Sequence, residues 1–214
     1  KMPQAKGDET NAPLGETFSK LFKNTNYSQG VLSQVFYVGA QIMCWTYIYQ
    51  YAEAIGLSSE TAANYQFLCF VLFLVGRAIG TYFLRFINAG RLLMLFAVFA
   101  AIASLFTIFI EGPFGLYSLV GISFFMSLMF PTIYGIALNG LDEEESKIGA
   151  AGLVMAIVGG ALMPKLQGML IDLGGNGVND IKVLGVSEVN FSFLLPLLCF
   201  LFIAYYGNKI YKQA

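Results

Sequence analysis

The sequence predicts an all-α integral membrane protein of six transmembrane helices, and three observations predict it. Of 214 residues, 57% are apolar and only 12% charged, whereas a soluble domain is about 45–50% apolar and about 25% charged. The mean hydropathy is +0.68, and the apolar residues gather in six windows long enough to cross a bilayer, which takes roughly 20 residues each. The Lys and Arg residues outside those windows fall almost wholly on one side of the resulting zigzag. A barrel is not expected, because its strands would alternate polar and apolar over about ten residues, and these runs do not.

The first 26 residues are polar, with no apolar core before a cleavage site, so they are no signal peptide. They read as a linker, residues 1–29, ending in a short amphipathic stretch where Phe18, Leu21 and Phe22 stand beside Lys20 and Lys23. The chain opens with Lys rather than Met, and a linker at the front leads us to expect a preceding segment. Residues 30–214 form the membrane domain. Its windows are Gly30–Ala54, Ala62–Ile87, Arg91–Ile110, Phe114–Leu138, Ile148–Ile171 and Phe191–Tyr211. The connections are short except for Asp172–Asn190, a Gly/Asn-rich loop.

Orientation follows from the bases. Lys1, Lys6, Lys20, Lys23, Arg85, Arg91, Lys147, Lys209 and Lys212 all fall on one side, and Lys182 is the only base on the other. The positive-inside rule places both termini in the cytoplasm. The acidic run Asp142–Glu145 shares that side without opposing the assignment, and suits the start of the fifth helix.

Several function classes fall away. With a net charge of −1 there is no basic field for nucleic acid. The absence of His removes the usual general base and zinc ligand. Cys44, Cys69 and Cys199 lie inside apolar runs without paired spacing and read as inert packing residues. No Asp or Glu lies near the centre of a window: Glu111 and Asp172 sit at ends, and Glu53 and Glu60 flank a turn. A membrane-embedded enzyme would need a catalytic constellation, and none is present. No cofactor or metal is implied.

Other residues argue against a plain lipid anchor. Gly76 and Gly80 make a small-xxx-small pair, and the fifth window carries Gly149, Gly152, Gly159, Gly160 and Gly168. Such stripes admit a close neighbouring backbone. Pro131, Pro164 and Pro196 each delete a backbone hydrogen bond inside a window. In the first window Gln34, Tyr37, Gln41 and Trp45 recur on one helical face, with Tyr49 a turn further. Unpartnered amides in lipid cost a few kcal/mol each, so this face should turn inward or to a watery cavity. An amide beside an aromatic ring suits a sugar: the amide bonds hydroxyls while the ring covers the apolar C–H patch. Packing glue between helices is the competing reading of that face. Asn139, near the cytoplasmic end of the fourth window, is a further polar candidate. Arg77 is one of the two charges deepest in apolar sequence and should reach inward or to an interface.

Four segments stand in order: YVGAQIMCWTYIYQYA (Tyr37–Ala52), ANYQFLCFVLFLVGR (Ala63–Arg77) with Gly80-Thr81, PTIYGIALNGL (Pro131–Leu141) and VMAIVGGALMPKLQGMLID (Val154–Asp172). Together they resemble the second half, helices seven to twelve, of the fucose:proton symporter branch of the major facilitator superfamily. The resemblance runs from about Tyr27 to the C-terminus. It implies one half of a twelve-helix fold, with the leader matching the cytoplasmic linker between halves. It also implies alternating access around a midplane site, a sugar and a proton as transported partners, and an amino-terminal six-helix half that carries the coupling carboxylates. This half would supply an apolar and aromatic wall, whose positions carry over to Trp45, Phe73 and Phe130. At Phe130 the branch has Tyr before the Pro, so one hydroxyl contact is absent here. The basic turn between the second and third helices survives only as Gly80, Arg85, Gly90 and Arg91, without its acidic member.

The branch also holds glucose/galactose transporters. Ala40-Gln41 followed by Cys44-Trp45 fits the fucose pattern, whereas the hexose relatives carry an acidic residue after the Gly-Ala. The reading is half of an L-fucose:proton symporter in a bacterial inner membrane. The substrate-binding candidates are Gln41, Trp45, Tyr49, Phe73, Phe130 and Asn139. The alternatives are a glucose/galactose transporter of the same branch, or a standalone six-helix protein that dimerises into a channel or transporter.

Overall fold

The computed structural model describes residues 14–175, 177 and 181–213. Lys1 and Lys6, with the first 13 residues of the expected linker, lie outside the described residues. Six spans are long and apolar enough to cross a membrane: Thr25–Ala54, Ser59–Phe83, Ala89–Phe109, Pro113–Leu138, Glu143–Ile171 and Glu188–Gln213. Each overlaps its sequence window, and the differences have local causes.

Before the first span stands α1 (Leu14–Lys23), the amphipathic stretch at the end of the leader. Its Leu21 is buried, whereas Phe18 and Phe22 are exposed and stack on each other at 6.5 Å. The first span starts at Thr25, five residues ahead of its apolar window, because the Asn24 side chain accepts from the backbone N–H of Asn26 and Tyr27. That cap satisfies donors a helix start leaves orphaned. The fifth span likewise starts early, at Glu143. Asp142 and Glu145 form a reciprocal capping box there, so the acidic run is a helix start. Lys20 pairs with Glu145 and ties α1 to the fifth span. The hydrogen bond to that carboxylate, reinforced by its charge, raises the Lys20 pKa above its ordinary value.

Four spans are interrupted. The first divides into α2 (Thr25–Thr46) and α3 (Ile48–Ala54) at Tyr47. The second and third are the continuous helices α4 (Ser59–Phe83) and α5 (Ala89–Phe109). The fourth divides into α6 (Pro113–Met126) and α7 (Met129–Leu138). The fifth runs as α8 (Glu143–Met155), a 3-10 turn at Ala156–Val158, and α9 (Gly159–Ile171). The sixth is α10 (Glu188–Ser192) followed by α11 (Leu194–Gln213). Pro131 and Pro196 are each the third residue of the segment after a break. A helix start is where a missing N–H costs least. The prolines thus locate two of the breaks; Pro164 lies five residues inside α9.

The small residues set how closely the spans approach. A methyl added at Gly76 would collide with the Phe124 carbonyl and lie 2.7 Å from Ser127 Oγ, so the second span rests directly on the fourth. One added at Gly159 would strike the carbonyl of Val35, so the fifth span rests on the first. The sixth span packs most extensively on the third and then on the first. The second and fifth spans are the least covered of the six. Tyrosine hydroxyls pin the seams: Tyr27 donates to Gly149 O at 3.0 Å, Tyr47 to Pro164 O at 2.7 Å, and Tyr206 to Asn26 O at 3.2 Å. The three cysteines are buried and free.

The connection from Asp172 to Asn190, read from sequence as a loop, contains a short hairpin. Strands β1 (Lys182–Val183) and β2 (Val186–Ser187) pair antiparallel, with Val183 opposite Val186. The turn between them is Leu184-Gly185, with φ of 53° and 87°. Two-residue turns with both φ positive favour Asn-Gly or Gly-Gly. A leucine there costs about 1–2 kcal/mol. The sixth span begins at Glu188 because the Ser187 side chain caps Asn190 N. Glu188 is fully buried, and its Oε2 accepts from Gly174 N at 3.2 Å. Sequence reasoning passed over this carboxylate, since a lone Glu before Val-Asn-Phe gives no signal of burial.

Candidate functional site

The inward face of the first span is built along α2. Its deepest members are Gln34 and Tyr37, both buried, which meets the expectation that the face turns away from lipid. Both ends of the Gln34 amide and the Ser33 hydroxyl lack a hydrogen-bond partner among the described residues. The Tyr37 ring meets the edge of Phe130 at 6.0 Å, and Phe130 stacks on Tyr134 at 6.5 Å. The fourth span can offer Phe130 at that point because the break at Ser127–Leu128 starts a new helix just before it.

One turn and two turns beyond Tyr37 come Gln41 and Trp45, both half-buried. Trp45 is the centre of an aromatic cluster. Its ring sits edge-on to Phe70 at 5.0 Å and to Phe73 at 5.3 Å, both from the second span. Its indole N–H donates to Ser123 Oγ of the fourth span at 3.2 Å. The Arg77 guanidinium lies 5.8 Å from the Phe73 ring centroid, a distance at which a cation is attracted to the ring face. Arg77 is exposed, on one of the two least covered spans. A charge at that depth needs water or a partner.

The six candidates therefore do not form one patch. Trp45 and Phe73 come together, Gln41 lies one turn before Trp45, and Phe130 joins the row through Tyr37. Tyr49 is exposed and lies beyond the interruption at Tyr47, on α3, so the spacing that placed it on the Gln41–Trp45 row spans a helix break. Asn139 stands apart: it caps the end of α7 and lines a cavity of about 290 Å³ with Asn26, Asn88 and Gln213. That cavity lies where the first and third spans begin and the fourth and sixth end. Phe70 and Ser123 join the cluster without having been singled out. Phe70 is hidden among equally apolar neighbours, and Ser123 contributes only a hydroxyl.

An aromatic wall with an amide and a guanidinium each one turn away, on the same side of the Trp45–Phe73 contact because the first two spans run antiparallel, can cover the C–H face of a sugar ring and bond its hydroxyls. No group in the cluster supports covalent chemistry.

The fold defines the class: this is one six-helix half of a major facilitator superfamily fold. It superposes on a crystal structure of the Escherichia coli fucose:proton symporter with a TM-score of 0.82 at 30% identity, covering 98% of this chain and 50% of that one. A related structure in the outward conformation matches with a TM-score of 0.82 at 29% identity, over 98% of this chain and 49% of that one.

In sequence the chain is homologous to L-fucose-proton symporters. It is 50% identical over 213 residues to that of Haemophilus influenzae, covering 99% of this chain and 48% of the relative. The Escherichia coli symporter is 32% identical, over 90% of this chain and 42% of its own. A putative glucose/galactose transporter of Helicobacter pylori is 31% identical, over 96% of this chain and 48% of its own. The chain spans about half the length of the curated relatives it matches. No protein-family model matches it. These relatives are transporters, not enzymes.

Proposed function

We propose that this chain is the carboxy-terminal half of an L-fucose:proton symporter of a bacterial inner membrane. An amino-terminal six-helix half completes it, and the two halves rock around a sugar held between them. Residues 1–29 serve as the cytoplasmic linker between the halves, and both termini of the segment lie in the cytoplasm. The Lys/Arg asymmetry supports that orientation.

The observation that carries the reading is the wall of Trp45, Phe73 and Arg77, with Gln41 one turn away, on a chain 50% identical to a fucose symporter. The wall supplies stacking and hydrogen-bond donors without a carboxylate, so this half holds the sugar while the other half holds the proton.

The test is uptake by the complete transporter in proteoliposomes. Labelled L-fucose should accumulate when the outside is made acidic, and excess unlabelled fucose should block it. Galactose and glucose should compete poorly. Uptake blocked equally by galactose would move the protein to the hexose side of its relatives. Fucose uptake indifferent to the pH gradient would remove the symport.

A further inference from the structure

The β1–β2 hairpin combines two features that nothing among the described residues accounts for. Leu184 holds a left-handed backbone conformation, where a two-residue turn ordinarily places Asn or Gly. Its side chain is nevertheless 81% exposed, so it makes almost no contact that would offset the strain. A bulky apolar residue at a strained and exposed position points to a contact beyond the described residues.

The surroundings say which partner. Beside the hairpin lies a groove of about 140 Å³ whose lining is wholly apolar, including Leu105 and Phe109 of α5, Leu184 and Val186 of the hairpin, and Leu194 and Leu197 at the head of the sixth span. Both spans carry further exposed apolar residues, among them Phe106, Leu198 and Leu201. In a multi-pass membrane protein such residues suit contact with lipid. The third and sixth spans pack chiefly on each other. The candidate wall is instead built by the first, second and fourth spans, and none of its residues lines the groove. Two residues before the tip, Lys182 stands 3.7 Å from Glu111, both largely exposed, at the height where a span ends. That exposed ammonium suits a phosphate headgroup.

We propose that the hairpin tip is a membrane anchor: Leu184 inserts into the bilayer leaflet at its end, and an acyl chain of a phospholipid from that leaflet occupies the groove behind it. The insertion supplies the apolar contact that the strained leucine lacks in the protein. It also fixes the outer connection between the fifth and sixth spans to the lipid.

The experiment uses the complete transporter in nanodiscs, with its native cysteines replaced and an environment-sensitive fluorophore on Leu184→Cys. Ser58→Cys, in the exposed turn at the same end, is the control. The probe at 184 should show blue-shifted emission and lose its fluorescence to a lipid spin-labelled near the carbonyl end of its acyl chain. It should resist aqueous iodide, and the probe at 58 should behave the opposite way. Iodide quenching at 184 equal to that at 58 would put the tip in water and overturn the anchor. Quenching by neither agent would place it against protein, the other half or a second copy, and would overturn the anchor as well. For the groove, Leu184→Asn keeps the turn and relieves its strain. Native mass spectrometry of the purified transporter should show a loss of bound phospholipid in that variant. Unchanged lipid retention would overturn the acyl-chain site.

Discussion

Trp45 of the first span donates its indole N–H to the Ser123 hydroxyl of the fourth, at 3.2 Å. This bond aims the ring against Phe70 and Phe73 and joins three spans at one point. The ring face, rather than its N–H, is what remains to offer a sugar. Trp45→Ala removes the face, and Gln41→Ala removes the amide one turn away. Losing such a contact costs about 1–3 kcal/mol, roughly five- to a hundredfold in affinity. Fucose binding to the complete transporter, measured by equilibrium titration, should weaken by that much in each variant, with membrane expression retained. Unchanged affinity in both would return this face to a packing role.

The glycine seams give a stability prediction with an internal control. Gly159 stands so close to the Val35 carbonyl that any side chain must push the fifth span off the first. Gly159→Ala should destabilise the protein by about 1–3 kcal/mol, as overpacking does. Gly121 is helical too, yet a methyl there would meet nothing within 4 Å. Gly121→Ala should leave stability unchanged, or raise it by up to about 1 kcal/mol through helix propensity. Thermal unfolding of the detergent-solubilised transporter compares the two, and an equal loss in both would remove the seam as the cause.

The spans were legible because the bilayer demands long apolar runs, and the Gly76 and Gly159 contacts because small residues have few other reasons to recur in lipid. Helix ends were less legible. Asn24, Asp142 and Ser187 extend three spans beyond their apolar windows by capping, which hydropathy does not register. The wall was legible in part. Trp45 and Phe73, named as wall positions, come together at 5.3 Å, whereas the spacing used for Tyr49 runs across the break at Tyr47. Glu188 and the hairpin were lost because their burial and pairing depend on contacts across the chain.

The two ends of the bundle can be told apart chemically. Glu60 and Gly112 lie at the end reached by the hairpin, and Ser146 at the opposite end. In a background without native cysteines, Glu60→Cys and Gly112→Cys should react with a membrane-impermeant thiol reagent applied to intact cells. Asn176, which the sequence reading assigns to the same side, lies outside the described residues. Ser146→Cys should react only after permeabilisation. Labelling of position 146 from outside would invert the orientation.

Proton symport needs a group that changes protonation within the barrier, and desolvated Asp or Glu serves best because burial raises its pKa toward neutrality. The chain has no His, and Tyr ordinarily titrates near 10. From sequence, Asp172 is the only acid that the resemblance places at the end of a span. Among the described residues, the buried carboxylates are Glu145, paired with Lys20 at the end of the bundle where α1 lies, and Glu188, bonded to Gly174 N at the other. Neither lies between the wall residues, and each has a structural role. Glu145 completes a capping box, and Glu188 holds the stretch after Asp172 against the head of the sixth span. We therefore expect the proton carrier in the amino-terminal half. In vesicles of the complete transporter, fucose-driven proton uptake should survive both Asp172→Asn and Glu188→Gln, since glutamine can still accept from Gly174 N. Glu188→Ala should instead lower thermal stability, with coupling intact in the protein that remains folded. If Asp172→Asn or Glu188→Gln abolished proton uptake while fucose exchange continued, the carrier would lie in this half, and the division of labour proposed for the two halves would be wrong.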